Sequence, residues 1–298
     1  MAVTKPSAGR NPGPEWGCRF ILGCDAVLPE WAFRPVRQLG TWIAVALMPV
    51  QRAHSREYLA AILGRPPTRR DVFRHFFAFT EFLLLKLRMG RGWKHRSELD
   101  PAASGLRELL QTGEPALFGS FHVGYSDLAG FLFGRQERRR IHMVRQQVGN
   151  NDDTKVLGER FNEWVTFIWV TEQENLLYAL KEAIASGGSI ALKCDRLGFS
   201  AKTEAFEFLG TRRVFPFTIY HLALIFRLPV VLCLGLPVGQ DGSIVRSSPL
   251  FRPDDAGKAA NLARAREHFQ AFLTRVEGYL RERPELWFNY TPLNPPAP

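Results

Sequence analysis

The run Phe118-Gly119-Ser120-Phe121-His122-Val123-Gly124-Tyr125-Ser126-Asp127 ends an apolar stretch with an imidazole and follows it, five residues later, with a carboxylate. A carboxylate bonded to one imidazole nitrogen fixes the tautomer and leaves the other nitrogen able to take a proton. That is the equipment of a general base, able to activate a hydroxyl or amine without a serine nucleophile. Five residues of regular helix rotate by about 500°, so the two side chains do not share a helical face. They meet only if His122 sits in a loop, Gly124 lets the backbone turn and Asp127 enters the first turn of a helix. The carboxyl end of a buried strand is also where α/β sheets place ligands. The same spacing is compatible with a structural histidine at a strand end.

Two further polar clusters follow apolar runs. Ser189 to Lys193 leads into Cys194-Asp195-Arg196-Leu197-Gly198. If this run and the one before His122 are neighbouring parallel strands, Asp195 and Arg196 open onto the same edge as His122. Arg196 then offers a planar fork of donors to a phosphate or carboxylate; the alternative is a local surface ion pair of little energetic value. The third cluster, Glu204 to Leu209 and then Gly210-Thr211-Arg212-Arg213, reads as a strand and a turn leading into the next helix. Arg212 and Arg213 are suited to an anionic headgroup or, as the slightly favoured alternative, to a solvated loop.

The elements that must position these groups alternate. Short apolar runs at Ala116 to Phe121, Ile141 to Val144, Val165 to Val170, Ser189 to Cys194 and Pro229 to Pro237 read as strands, with helical patterns at Asn175 to Ala185 and Phe217 to Phe226 between them. The expected architecture is a single α/β domain with a mostly buried, mixed sheet flanked by helices. A helix of about Lys258 to Arg283 closes it, followed by the aromatic tail Trp287-Phe288-Asn289-Tyr290. An apolar helical region precedes it. There, His54 to Leu63 is stopped by Gly64 and the Pro66-Pro67 pair, and Thr68 with Asp71 resembles a capping box that opens a long helix with an unusually wide apolar surface. The expected division is a Pro/Gly-rich segment over 1–30, an apolar helical membrane-associating region over 31–95, and a catalytic region over 96–298 that forms one domain with it.

Of 298 residues, 46% are hydrophobic, enough for a substantial core, and the formal net charge is +10. That charge suits an anionic partner, whether phospholipid headgroups, an acidic carrier protein or nucleic acid. No stacking platform or helix-turn-helix pattern accompanies it, so nucleic acid is not expected. Cys18, Cys24, Cys194 and Cys233 form no metal-binding spacing, and no metal or other cofactor is expected. Reduced cysteines and the absence of a signal-peptide pattern fit a cytoplasmic setting. No run reaches the roughly 20 apolar residues of a spanning helix. Leu39 to Val50, flanked by Arg37 and Arg52, is suited either to the headgroup boundary or to the core. A GxSxG elbow and a Walker A loop are absent, against a hydrolase of the α/β type and against nucleotide binding.

Three blocks in this order, HVGYSD, CDRLG and FEFLGTRRVFP followed by an apolar helix, resemble the lysophospholipid acyltransferase superfamily. They are most similar to its bacterial branch of lipid A biosynthesis (lauroyl/myristoyl) acyltransferases. Arg56 to Phe77 and Arg283 to Tyr290 are also similar to that branch, so the resemblance spans roughly residues 30 to 292. It implies an HxxxxD acyltransferase with His122 as base and Asp127 as its orienting partner. It further implies that Asp195 and Arg196 belong to the acceptor-binding block, and that Gly210 and Pro216 shape the third. The donor it implies is an acyl thioester, on acyl carrier protein or coenzyme A. The acceptor would be a hydroxyl or amine of a lipid or lipid-like molecule, and the location the cytoplasmic face of a bacterial inner membrane, peripheral or monotopic. Asp127 stands where lipid A enzymes often carry glutamate, and Phe217-Thr218-Ile219 follow Pro216 where relatives often have small residues or Gly-Pro. The rival expectation is a peripheral lipid-binding protein on the same scaffold that has lost catalysis.

Overall fold

The computed structural model describes residues 15–145, 157–170, 173–199, 202–239 and 242–297. Four helices come first: α1 (Glu15–Val27), α2 (Glu30–Leu47), α3 (Pro49–Leu63) and α4 (Arg69–Gly90). α1 lies within the stretch expected to be only Pro/Gly-rich. Met48 separates α2 from α3, so the apolar run Leu39 to Val50 is split between two helices rather than forming one. α3 stops at Gly64, whose φ of +64° favours glycine. α4 opens on the expected capping box: Thr68 Oγ1 accepts from Asp71 N–H, and Asp71 Oδ2 accepts from Thr68 N–H.

The α/β layer follows: β1 (Arg96–Leu99), α5 (Ser104–Thr112), β2 (Leu117–Gly124), α6 (Ser126–Gln136), β3 (Ile141–Arg145), β4 (Val165–Trp169), α7 (Gln173–Ala185) and β5 (Ser189–Lys193). After a hairpin of β6 (Thr203–Phe208) and β7 (Thr211–Pro216) come α8 (Thr218–Phe226), β8 (Val230–Val238), β9 (Gly242–Ser247) and α9 (Lys258–Glu282). Seven strands form one sheet in the order β1-β9-β8-β2-β5-β3-β4. All neighbours are parallel except β8 and β9. The expected mixed sheet is therefore a mostly parallel one with an antiparallel step near one edge. The five apolar runs are the contiguous strands β8-β2-β5-β3-β4, and the central pair β8 and β2, buried along most of their length, is the most continuously hydrophobic.

The third cluster departs from expectation. Gly210 to Arg213 do not lead into a helix: the turn is Leu209-Gly210 alone, both at positive φ, and Thr211 to Pro216 pair back on β6 as a second strand. The alternation Arg213-Val214-Phe215 carries that strand, and glycine at φ +72° closes the two-residue hairpin. This hairpin is separate from the large sheet and packs Phe206 and Phe215 against Phe269 of α9, while Phe208 meets Trp287.

Candidate active site

The site is made by an irregularity in the central strand. Ser120 pairs with Cys233 of β8, and the next registered pair is Gly124 with Gly235, so Phe121, His122 and Val123 stand opposite the single Leu234. β2 therefore bulges, as strands do where a side chain must be re-aimed. Gly124 ends the bulge at φ +53°, where a Cβ would lie 2.7 Å from the Gly235 carbonyl oxygen. His122 thus sits on the bulge of β2 and not in the loop after it. Asp127 does enter the first turn of α6, as expected.

The expected pairing of His122 with Asp127 does not form. His122 Nδ1 lies 2.8 Å from Oδ1 of Asp195, and the backbone N–H of His122 donates to Oδ2 of the same carboxylate at 2.7 Å. β2 and β5 are parallel neighbours in register from Leu117–Ile190 to Ser120–Lys193, which delivers Asp195 to the bulge from 73 residues away. The indole Nε1–H of Trp287 also donates to Asp195 Oδ2, at 2.9 Å. Asp195 thus reaches the same edge as His122, as expected, but it is 0% exposed, with its carboxylate turned onto the imidazole and the indole. Burial alone would raise its carboxyl, but His122, Arg196 and Lys193 hold it well below the ordinary carboxylate range.

That charge settles the tautomer. An ionised carboxylate only accepts, so Nδ1 of His122 carries the hydrogen and Nε2 the lone pair. Burial, then Arg196 and Lys193, hold the imidazole down to about 4 against the upward pull of Asp195, so it is neutral at pH 7. Its side chain is still 25% exposed, and Nε2 has no hydrogen-bond partner among the described residues. A neutral imidazole oriented in this way is able to take a proton from a group that enters beside it.

Asp127 instead gathers cations. Lys193 Nζ lies 2.6 Å from Oδ1, as an ion pair rather than an aligned hydrogen bond, while Arg145 and Lys86 stand 3.6 Å and 3.9 Å from Oδ2. Burial would raise this carboxyl, but Lys193, Arg145 and Lys86 keep it well below the ordinary range. The sequence reading missed Lys86, Arg145 and Lys193. Each comes from a different element, α4, β3 and β5, and only the fold brings them together.

Of the remaining candidates, Arg196 lies within electrostatic reach of the imidazole, while Gly210, Arg212 and Arg213 belong to the hairpin. Arg196 Nη2 donates to the carbonyl of Phe288 at 2.5 Å. Gly210 closes the hairpin; Arg212 is exposed, with its carbonyl accepting from Ala297 N–H, and Arg213 Nη1 donates to the Asn294 carbonyl at 2.8 Å. The two arginines fasten the hairpin to the C-terminal segment through backbone and side chain. Ser126 donates to the Val123 carbonyl and accepts from Gly235 N–H, so its hydroxyl is committed to holding the bulge. Among the described residues no group of three or more His, Cys, Asp and Glu side chains is arranged to hold a metal ion.

No protein-family model matches this chain, and no curated protein sequence does. Among solved structures it is similar to the 1-acyl-sn-glycerophosphate (LPA) acyltransferase PlsC from Thermotoga maritima. That likeness has a TM-score of 0.39 and 11% identity, and covers 82% of this chain and 96% of that one.

Proposed function

We propose that this chain transfers an acyl group from a thioester to a hydroxyl or amine of a lipid-like acceptor, with Nε2 of His122 as the general base. The observation that carries this reading is the buried, ionised Asp195 on Nδ1, which leaves a neutral imidazole with its basic nitrogen unpartnered among the described residues. Nε2 removes the acceptor proton as the oxygen or nitrogen attacks the thioester carbon. Asp195 stabilises the imidazolium that forms, and the thiolate leaves when the tetrahedral oxyanion collapses. Lys193 and Arg196, already within electrostatic reach of the imidazole, favour the oxyanion. The three ordered sequence blocks support acyl transfer over other uses of a base. Acyl carrier protein and coenzyme A are both anionic donors suited to the +10 chain.

In the same reading the helical layer rests on a membrane surface. On α2, Phe33, Arg37, Thr41 and Val45 are buried, while Trp31, Leu39, Ile43 and Leu47 are exposed. The two sets are offset by two residues, about 200° around the helix, so the exposed set is an apolar stripe on the outer side. Among the described residues no helix is long and apolar enough to cross a membrane. A stripe of this kind is suited to lying in the headgroup boundary of the inner membrane.

The test is to incubate the purified full chain with acyl carrier protein or coenzyme A thioesters and a bacterial lipid extract, then identify products by mass spectrometry. An acylated lipid that disappears in His122→Ala, with a rate loss of about 10²–10⁴-fold, is expected. Equal rates for the two proteins would remove the assignment.

A further inference from the structure

The segment after α9 crosses the bulge of β2. Val123 bridges to Trp287, and Phe288 N–H donates to the His122 carbonyl at 2.8 Å. Trp287 is 1% exposed. Its carbonyl accepts from Nε2–H of His75 at 2.8 Å, and Nδ1 of His75 accepts from the Ser55 hydroxyl at 2.8 Å. Its ring is edge-on to Tyr58 at 4.9 Å and to Phe208 at 5.4 Å. Trp287 is thus held by α3, α4 and the hairpin, and the one polar atom of its indole is aimed at Asp195 Oδ2.

We infer that Trp287 is a positioning residue for the His122/Asp195 pair: its indole N–H holds Asp195 Oδ2 and so sets how much of that carboxylate's charge reaches the imidazole. The inference rests on His122 acting as the base. A carboxylate that accepts one more hydrogen bond is a weaker base and pulls less on an imidazolium. Take the indole donor away and Asp195 keeps more of its charge, so His122 binds its proton more tightly. The other groups facing the imidazole are Asp195, Arg196 and Lys193 at the end of β5, and Asp127 on α6. A change at Trp287 leaves all of them in the sequence.

The experiment is a nitrogen-15 NMR titration of His122 in the full chain, for wild type, Trp287→Phe and Phe208→Leu. Trp287→Phe is expected to raise the proton affinity of His122 by about tenfold. Phe208→Leu loosens packing around the same indole without touching Asp195, and is expected to leave the midpoint in place. In wild type the Trp287 indole N–H resonance is expected to move with the His122 midpoint, which decides the matter even if Trp287→Phe fails to fold. An unmoved midpoint in Trp287→Phe, an equal movement in Phe208→Leu, or an indole resonance that stays flat would each overturn the inference. The readout needs no substrate, so a failure of acyl transfer is told apart from a failure of this role.

Discussion

At the scale of single residues, the site separates two carboxylates that local spacing cannot tell apart. Asp195 faces one imidazole and two further N–H donors; Asp127 faces three cations. Asp127→Asn is therefore expected to disturb Lys86, Arg145 and Lys193 and to raise KM for an anionic substrate more than it lowers kcat. Steady-state kinetics on donor and acceptor check this. The pH dependence of kcat/KM follows from the low His122 value. Activity is expected to persist below pH 6 and to fall as the pH drops toward about 4, where the base takes up its proton. Arg196 is one of the groups that lower it, so Arg196→Gln should move that acid limb upward, as a pH–rate profile would record. The role of Asp195 was not legible in the sequence. It depends on the register of two parallel strands and on a bulge, whereas a five-residue His/Asp spacing is visible in any reading.

At the scale of elements, the long helices and buried strands were legible because their cause is local. Thr68 and Asp71 cap α4 by themselves, Gly64 ends α3 by its own conformation, and apolar runs such as Ile190 to Leu192 have no polar face to expose. Thr68→Ala is expected to cost about 1 kcal/mol, measured by denaturant unfolding. The strands at the β1 edge were not legible: Arg96 to Leu99 is short and half exposed, and its pairing with Gly242 to Val245 is a long-range event. The first half of β7, Thr211 to Arg213, reads as a turn because it is polar until the sheet pairs it. His75 shows how packing reaches into solution behaviour. It is 0% exposed, and burial lowers it to about 4 from an ordinary 6.5. The unfolded chain therefore binds the proton more tightly, and the stability that the neutral ring contributes is complete above 6.5. It is lost as pH falls through that window toward 4. His75→Gln should make acid unfolding shallower by about one proton over this range, provided the melting curves remain two-state.

At the scale of the whole molecule, the helical layer has an inward face of ion pairs and an outward apolar face. Inward, Arg37 pairs with Glu30 and Glu81, and Arg88 with Asp25, tying α1 and α2 to α4. Outward, α2 shows its apolar stripe, with Trp31 80% and Leu47 75% exposed. Replacing Leu39, Ile43 and Leu47 by serine is expected to weaken sedimentation with anionic phospholipid vesicles by more than tenfold. The burial of about three leucine-sized side chains, at roughly 1.5–3 kcal/mol each, is lost with them. The fold should survive, because these residues lie outside the core. An unchanged vesicle affinity would remove the membrane contact proposed for α2. The α/β class, a mostly buried sheet and the helical layer before it could be read from composition and periodicity, whereas the mostly parallel order of the strands could not. The crossing of the C-terminal segment over the bulge could not, since nothing near Trp287 in the chain names its partner.

The most direct test compares single-turnover acyl transfer in wild type, Asp195→Asn and Asp127→Asn, each checked for cooperative melting. Asp195→Asn should lower the chemical step by about 10²-fold or more, with substrate affinity held, while Asp127→Asn retains most of that rate at saturating substrate. A wild-type rate in Asp195→Asn alongside a collapse in Asp127→Asn would contradict the pairing on which the account stands.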